Sequence, residues 1–312
     1  MSDYYTMRGA RPDLASIDIG IVDGIIGDKL YPTRPTMDKS GTVYYMAVAS
    51  VADAAPQTGR SAGAAPTATQ IATSSTTFTC AEAIKRASVT PDEAKEMGGM
   101  EKADFVGAKY AKRSIVRGRE LAIATQALTG TPAATFDPAK FNLQVQTQLD
   151  ALQLYPGRKV LAGGKSILKR IVVQMLGDAK MGPMFARIAS GTNSIEAAKG
   201  LNFEAWRTAL ALFLGVDDVL AGDSDRWNDS QSAGIQNRVI VAAVDDTSDE
   251  LSHKYNPVLG KTFQFLPDGT QPFEIQSVDD RVNINNHYDA KQWYNIVEFN
   301  SGARKIIDGI AP

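Results

Sequence analysis

Residues 101–129 read EKADFVGAKYAKRSIVRGRELAIATQALT. The stretch holds no proline and stops at Gly130 and Pro132, both of which end helices. It predicts one uninterrupted helix, a rod of roughly 43 Å at 1.5 Å per residue, far longer than the average globular helix. Phe105, Ala108, Ala111, Ile115, Leu121, Ala122 and Leu128 give a narrow apolar stripe of mostly small residues. Lys102, Lys109, Lys112, Arg113, Arg117 and Arg119 are expected to charge the remaining surface. Such a helix is a beam across which other elements lie, with Gly107 and Gly118 as places where it can bend.

Working outward toward the N-terminus, Gly98-Gly99 separates the beam from a shorter helix. That helix starts in a capping box, with Thr90 as cap, Pro91 at the first helical position and Glu93 reaching back. Residues 81–89 are read as its approach. Before them, residues 42–48 (TVYYMAV) and 71–80 (IATSSTTFTC) are β-rich and predict two strands. The insert between them, 52–70, is mainly Ala, Gly, Pro, Thr and Ser, and is expected to be a mobile tip. The pair is a long projecting hairpin, and an isolated hairpin is marginal in water, so it must pack on something. Residues 1–35 read as an extended arm, because Pro32 and Pro35 disfavour helix at the residues before them. A neighbouring subunit is the expected surface for both.

C-terminal to the beam the pattern is α/β. Helices are expected from residue 137 to about 155, apolar at Phe141, Leu143, Val145, Leu149, Leu152 and Leu154, from 166 to 176 with an apolar face of Ile167, Leu168, Ile171, Val172 and Met175, and from 202 to 214, the last ending at Gly215. Strands are expected at 159–162, 216–221 and 238–244, the last an unbroken apolar run. The end is β: 262–266 and 272–278 flank the turn Pro267-Asp268-Gly269-Thr270, followed by 293–299 and 304–307.

The chemistry-bearing motifs are sparse. Gly163-Gly164-Lys165-Ser166 sits where a phosphate-binding loop would, but the glycine required upstream is Lys159, so a turn with a helix cap is the expected reading. Residues 223–229 begin like a calcium loop, but Trp227 stands at a ligand position and a solvated polar loop is expected instead. His253 and His287 are the two histidines, and Cys80 is the single cysteine, so no internal disulfide is possible. Asp217 with Asp218, and Asp245 with Asp246, are adjacent and in a strand would point to opposite faces. No catalytic set, cofactor or metal site is predicted. The 312 residues are 44% hydrophobic and 22% charged with a formal net charge of −2, ordinary for a folded protein and unlike a nucleic-acid binder driven by bulk charge. No window is apolar enough for a membrane span.

Arm, hairpin, beam, α/β lobe and closing strands together give an α+β chain whose order resembles the major capsid proteins of tailed bacteriophages, the HK97-type fold. The resemblance is carried by Leu30-Tyr31-Pro32-Thr33-Arg34-Pro35 with Lys39-Ser40-Gly41, and by Thr79-Cys80-Ala81-Glu82 with Val89-Thr90-Pro91-Asp92-Glu93. Residues 211–222 (ALFLGVDDVLAG) and the closing strands from 289 to 310 add to it. It implies an N-terminal arm (1–35), an extended loop (36–80), a peripheral domain (81–135 and 255–285) with its spine helix, and an axial domain (136–254 and 286–312). It implies a protein that self-assembles into hexamers and pentamers, forming an icosahedral shell around DNA in a virion put together in the bacterial cytoplasm. A separate scaffolding protein, a portal and a decoration protein are the implied partners, with packaged DNA held non-specifically. Neither Lys39 nor the loop tip offers a counterpart to the Lys–Asn crosslink of some members. Val43, Tyr44, Tyr45 and Phe78 on the hairpin, with Arg113 and Arg117 on the helix, are the candidate inter-subunit contacts. An encapsulin-like compartment shell shares the fold and is the alternative. A small-molecule enzyme is the alternative of another class.

Overall fold

The computed structural model describes residues 5–16, 24–48, 73–245, 251–254, 256–267, 269–280 and 285–310. The expected loop tip at 52–70 lies outside them, as does part of the arm. β1 (Tyr5–Ala10) is followed by two single-turn helices, α1 (Pro12–Ala15) and α2 (Gly27–Leu30), and by β2 (Thr33–Thr36). β3 (Ser40–Met46) and β4 (Thr73–Thr79) then pair antiparallel as the predicted hairpin. β5 (Ala81–Val89), α3 (Pro91–Glu96) and α4 (Met100–Leu128) come next. The α/β part runs β6 (Ala134–Thr135), α5 (Phe141–Ala151), β7 (Arg158–Gly164), α6 (Lys165–Gly177), α7 (Met181–Ser190), α8 (Ile195–Lys199), α9 (Phe203–Leu214), β8 (Asp218–Gly222) and β9 (Val239–Val244). The chain closes with β10 (Gly260–Phe265), β11 (Glu274–Asp280), β12 (Asn285–Glu298) and β13 (Arg304–Asp308).

Two sheets organise these elements. β12, 14 residues long, is the axis of the first. One of its edges carries β5, and the other carries β11 along its first half and β10 along its second. β1 extends that sheet beyond β11, and β2 lies parallel to β10. The arm was expected on a neighbour, but its two strands fill edges of its own sheet, where they satisfy backbone groups that would otherwise be bare. Residues 81–89, read as the approach to a helix, form a full strand. Their mostly exposed side chains give no periodic signal, and β5 exists because β12 pairs with it along nine residues. β12 also places residues 286–298 in this sheet, so of the segment 286–312 expected with the axial part only the stretch around β13 joins the second sheet.

The second sheet has the order β6-β13-β9-β7-β8, with all six residues of β9 buried. Its parallel β7–β8 pair is joined through helices α6 to α9, the usual way to cross between parallel strands. α6 buries Ile167, Leu168, Ile171, Val172 and Met175, the apolar face predicted for it. α5 buries Phe141 and Val145, whereas Leu143 and Leu154, expected on the same face, are exposed. α7 and α8 were not anticipated.

α4 is a single helix of 29 residues that joins two cores. Its first half packs Ala103, Ala108, Ala111 and Ile115 with Ala87, Ile275, Tyr288 and Ala290 of the first sheet. Its second half packs Ile123, Ala124, Ala127 and Leu128 into the core of the second sheet. The helix starts after Gly99 (φ 119°), and α3 has the predicted capping box at Thr90 and Glu93. Gly107 is there for close approach: a Cβ at this position would collide with the ring of Tyr288, whose hydroxyl donates to Asp104.

The basic residues of α4 were expected to face water, and two of them do not. Lys112 and Arg119 are on the packed face, 2% and 8% exposed. Lys112 donates to the Ala15 carbonyl at 2.5 Å and lies over the Phe273 ring, and Arg119 pairs with Asp28 at 2.8 Å. Both hold the arm to the helix. Phe105, expected in the apolar stripe, is 46% exposed.

Candidate assembly surfaces

The foot of the hairpin is held by Val43 and Tyr45 of β3 and by Phe78, the one apolar residue of β4. Val43 and Phe78 turn inward and are buried with Cys80, Phe263, Trp293 and Phe299. Phe78 stacks on Phe263 with centroids 4.5 Å apart, and Tyr45 stacks on Phe299 at 5.0 Å. Each such pair adds about 1 kcal/mol beyond the area it buries. Asn295 donates to the Thr79 carbonyl and Asn300 to the Met46 carbonyl, so both strands are tied to the body. Val43 and Phe78 are therefore committed to their own subunit, and Tyr45 is half-buried. Tyr44, on the opposite face of β3, is 62% exposed beside a recess of about 280 Å³ also lined by Arg34, Asp38 and His253. Arg34 lies over the Phe263 ring and meets His253 Nε2 at 3.1 Å. Burial raises the pKa of the Cys80 thiol, which marks it as a packing residue.

A second site fastens the arm, α4 and the α/β part together. Glu120 is 2% exposed. Its carboxylate accepts from the backbone N–H groups of Ile26 and Gly27 at 2.9 to 3.1 Å and from Trp227 Nε1 at 2.8 Å. Burial pushes its pKa up, against the hydrogen bonds, which pull it down. Trp227 belongs to a π-helical turn, Asp225–Asp229, inside the stretch expected to be a solvated loop. The turn is instead a plug. Trp227 and Asn228 are buried, and the Arg226 guanidinium pairs with Asp223. Gly164 and Gly222 make room for it, since a Cβ on either would strike Asn228 or Trp227. The Ser166 N–H at the start of α6 is taken by Ser224 Oγ at 2.9 Å. The glycines of the phosphate-loop-like stretch thus serve packing.

The third surface is a groove of about 720 Å³ between α4 and the carboxyl ends of β7 and β8. Arg113 and Arg117 stand on the α4 wall with Tyr110, and Lys165 and Phe203 stand opposite. The structure brings Arg113 and Arg117 together here and places Tyr44 on a different recess. Lys165 and Phe203 were not singled out from sequence for this role. They meet because α6 and α9 begin at the same end of the sheet, and the Lys165 ammonium lies 5.1 Å from the Phe203 ring centre. Tyr110 on the groove wall is 64% exposed, and Val106, farther along the outer face of α4, is 43% exposed. Among the described residues no cluster of three or more His, Cys, Asp or Glu is placed to hold a metal, and no helix is long and apolar enough to cross a membrane.

No protein-family model and no curated protein matches this sequence. Solved structures do. A phage-related protein from Bordetella bronchiseptica RB50 is 16% identical, with a TM-score of 0.60 over 98% of each chain. The capsid of a native GTA particle is 10% identical, with a TM-score of 0.57 over 94% of this chain and 92% of that one. The capsid structure of cyanophage P-SCSP1u is 9% identical, with a TM-score of 0.53 over 94% and 90%. At these identities the likeness is one of fold, and the fold is the HK97-type arrangement expected from the order of elements.

Proposed function

We propose that this chain is a major capsid protein that self-assembles into hexamers and pentamers, closing an icosahedral shell around phage DNA. The observation that carries the reading is the likeness to capsid structures along 94% of the chain. The chain's own surface supports it. The outer face of α4 and the β3 face of the hairpin expose Val106 and the aromatic side chains of Phe105, Tyr110 and Tyr44, and aromatic residues are enriched at interfaces. In this reading residues 36–80 reach over a neighbour, and Tyr44, Arg113 and Arg117 meet adjacent copies. The first sheet with α4 is the peripheral part and the second sheet is the axial part. A separate scaffolding protein, a portal and a decoration protein are the other partners, assembly takes place in the bacterial cytoplasm, and the role is structural.

Sedimentation and electron microscopy of the full chain, with an assay for nuclease-protected DNA, test this. Closed shells protecting DNA are expected. Shells that protect protein cargo and no DNA would replace the capsid reading with that of a compartment, and a chain that stays monomeric across assembly conditions would end both. Deleting residues 54–67 should leave the circular dichroism spectrum intact and stop particle formation.

A further inference from the structure

Among the described residues, the lining of the groove between α4 and the ends of β7 and β8 has a positive charge that its carboxylates do not cancel. The two carboxylates among its described lining residues are already engaged: Glu204 pairs with Arg207 at 3.0 Å, and Asp223 pairs with Arg226. Among the described residues Arg117 and Lys165 form no ion pair, and Lys169 adds a third exposed cation near Lys165 over the Phe203 ring. The rest of the sequence carries one dense acidic run, DDTSDE at 245–250, with four acids in six residues.

We propose that this groove receives the acidic stretch 246–250 of a second copy of the chain. The proposal rests on the ring-forming reading given above and names a contact that holds such a ring. A ring of identical subunits needs two different, complementary surfaces on one chain, joined head to tail. The two lie at opposite ends of the second sheet. Gly164 and Gly222 pair at the groove end, whereas Val244, which leads into the acidic run, pairs with Arg158 at the other end of β7. The six steps along β7 span about 20 Å. A stretch held at Asp245 and Leu251 can reach out and back by no more than about 11 Å. It therefore cannot enter the groove of its own subunit, and the complementary charge must come from a neighbour. A chain of net charge −2 also disfavours nucleic acid as the general occupant of a single basic groove.

Two measurements decide it. In the first, a fluorescein-labelled peptide with the sequence of residues 244–251, VDDTSDEL, is titrated with the full chain and followed by anisotropy. Saturable binding that weakens with added salt is expected. It should fall about tenfold or more in R117E/K165E, and for the neutral peptide VNNTSNQL. Binding unchanged in the variant, no binding at all, or tighter binding of a 20-base-pair DNA duplex to the same groove would overturn the proposal. In the second, R117E/K165E and D246K/D249K/E250K are made in the full chain separately and together. Each alone should cut particle yield about tenfold or more, and the combination should recover most of it. Folded variants whose combination yields no more than either alone would also overturn it. If the wild-type chain forms no particles yet binds the peptide, the shell reading fails and the groove chemistry stands. If particles form and the peptide does not bind, the groove proposal alone fails.

Discussion

The two halves of α4 do different work. The end from Ile123 onward is the more deeply packed: Ile123, Ala124, Ala127 and Leu128 are at most 1% exposed, only Thr125 of this turn is exposed, and the β9 strand they approach is buried along its whole length. The half before Ile115 is packed on one side only, against β5 and β12, and turns Phe105, Val106 and Tyr110 outward. One end of the beam is finished inside the subunit, and the other is left for something else to cover. The sheets show the same difference, since β5 of the first is largely exposed whereas β9, at the centre of the second, is buried throughout. On the function proposed above, a chain that folds alone and then joins copies of itself has reason to divide its core this way.

The comparison breaks first at the middle of the beam. Ile115→Pro removes a helical hydrogen bond and kinks α4 where the two cores meet, at a cost of about 3 kcal/mol or more. Circular dichroism and urea unfolding should show a large loss of stability, and particles should not form. Normal particles from this variant would show that the beam is not needed.

Glu120→Ala comes next. It leaves the N–H groups of Ile26 and Gly27 and the Trp227 indole without their shared acceptor, each buried donor costing about 1–3 kcal/mol. Limited proteolysis should then cut the arm near residue 24 sooner than in the wild type. Glu120→Gln sharpens the point through pH. Because burial raises the folded-state pKa above the ordinary 4.5, the native chain binds this proton more readily than the unfolded chain does. The stability linked to that proton is fully present below the unfolded value and is lost as pH rises through the raised folded value. The unfolding free energy of wild type minus that of Glu120→Gln should therefore grow as pH falls from 7 to 5. A difference that is flat with pH would mean that Glu120 is not held in a desolvating site.

Gly107→Val should act on the first half alone. The added side chain meets the Tyr288 ring, and overpacking of this kind costs about 1–3 kcal/mol. Exchange of the β9 amides should stay unchanged while that of β12 rises. Smallest is Thr90→Ala, which removes the capping box of α3 and about 1 kcal/mol, read as a shift in the urea midpoint.

The same division explains what could be read from the sequence. The ends of α4, the apolar face of α6, the capping box at Thr90 and the run at 239–244 rest on local signals, and each was legible. β5 was not, because AEAIKRASV becomes a strand only by pairing with β12, some two hundred residues away. Nor was the burial of Lys112, Arg119 and Glu120, whose partners are the Ala15 carbonyl, Asp28 and the amides of Ile26 and Gly27. A charge looks solvent-bound until the distant group that satisfies it is known. Trp227 looked like a flaw in a metal loop for the same reason, since its indole is anchored on Glu120. Of the six contact candidates, Val43 and Phe78 carried the right pattern for burial, but sequence does not say whose core they enter.

Electron cryomicroscopy of particles grown from the purified full chain tests the central claim most directly. The account predicts a closed shell of pentamers and hexamers in which each subunit keeps both cores as they are here, and in which Tyr44 and the outer face of α4 around Val106 and Tyr110 are covered by neighbouring copies. A chain found only as a monomer or a small closed oligomer, with those residues still facing solvent, would contradict it.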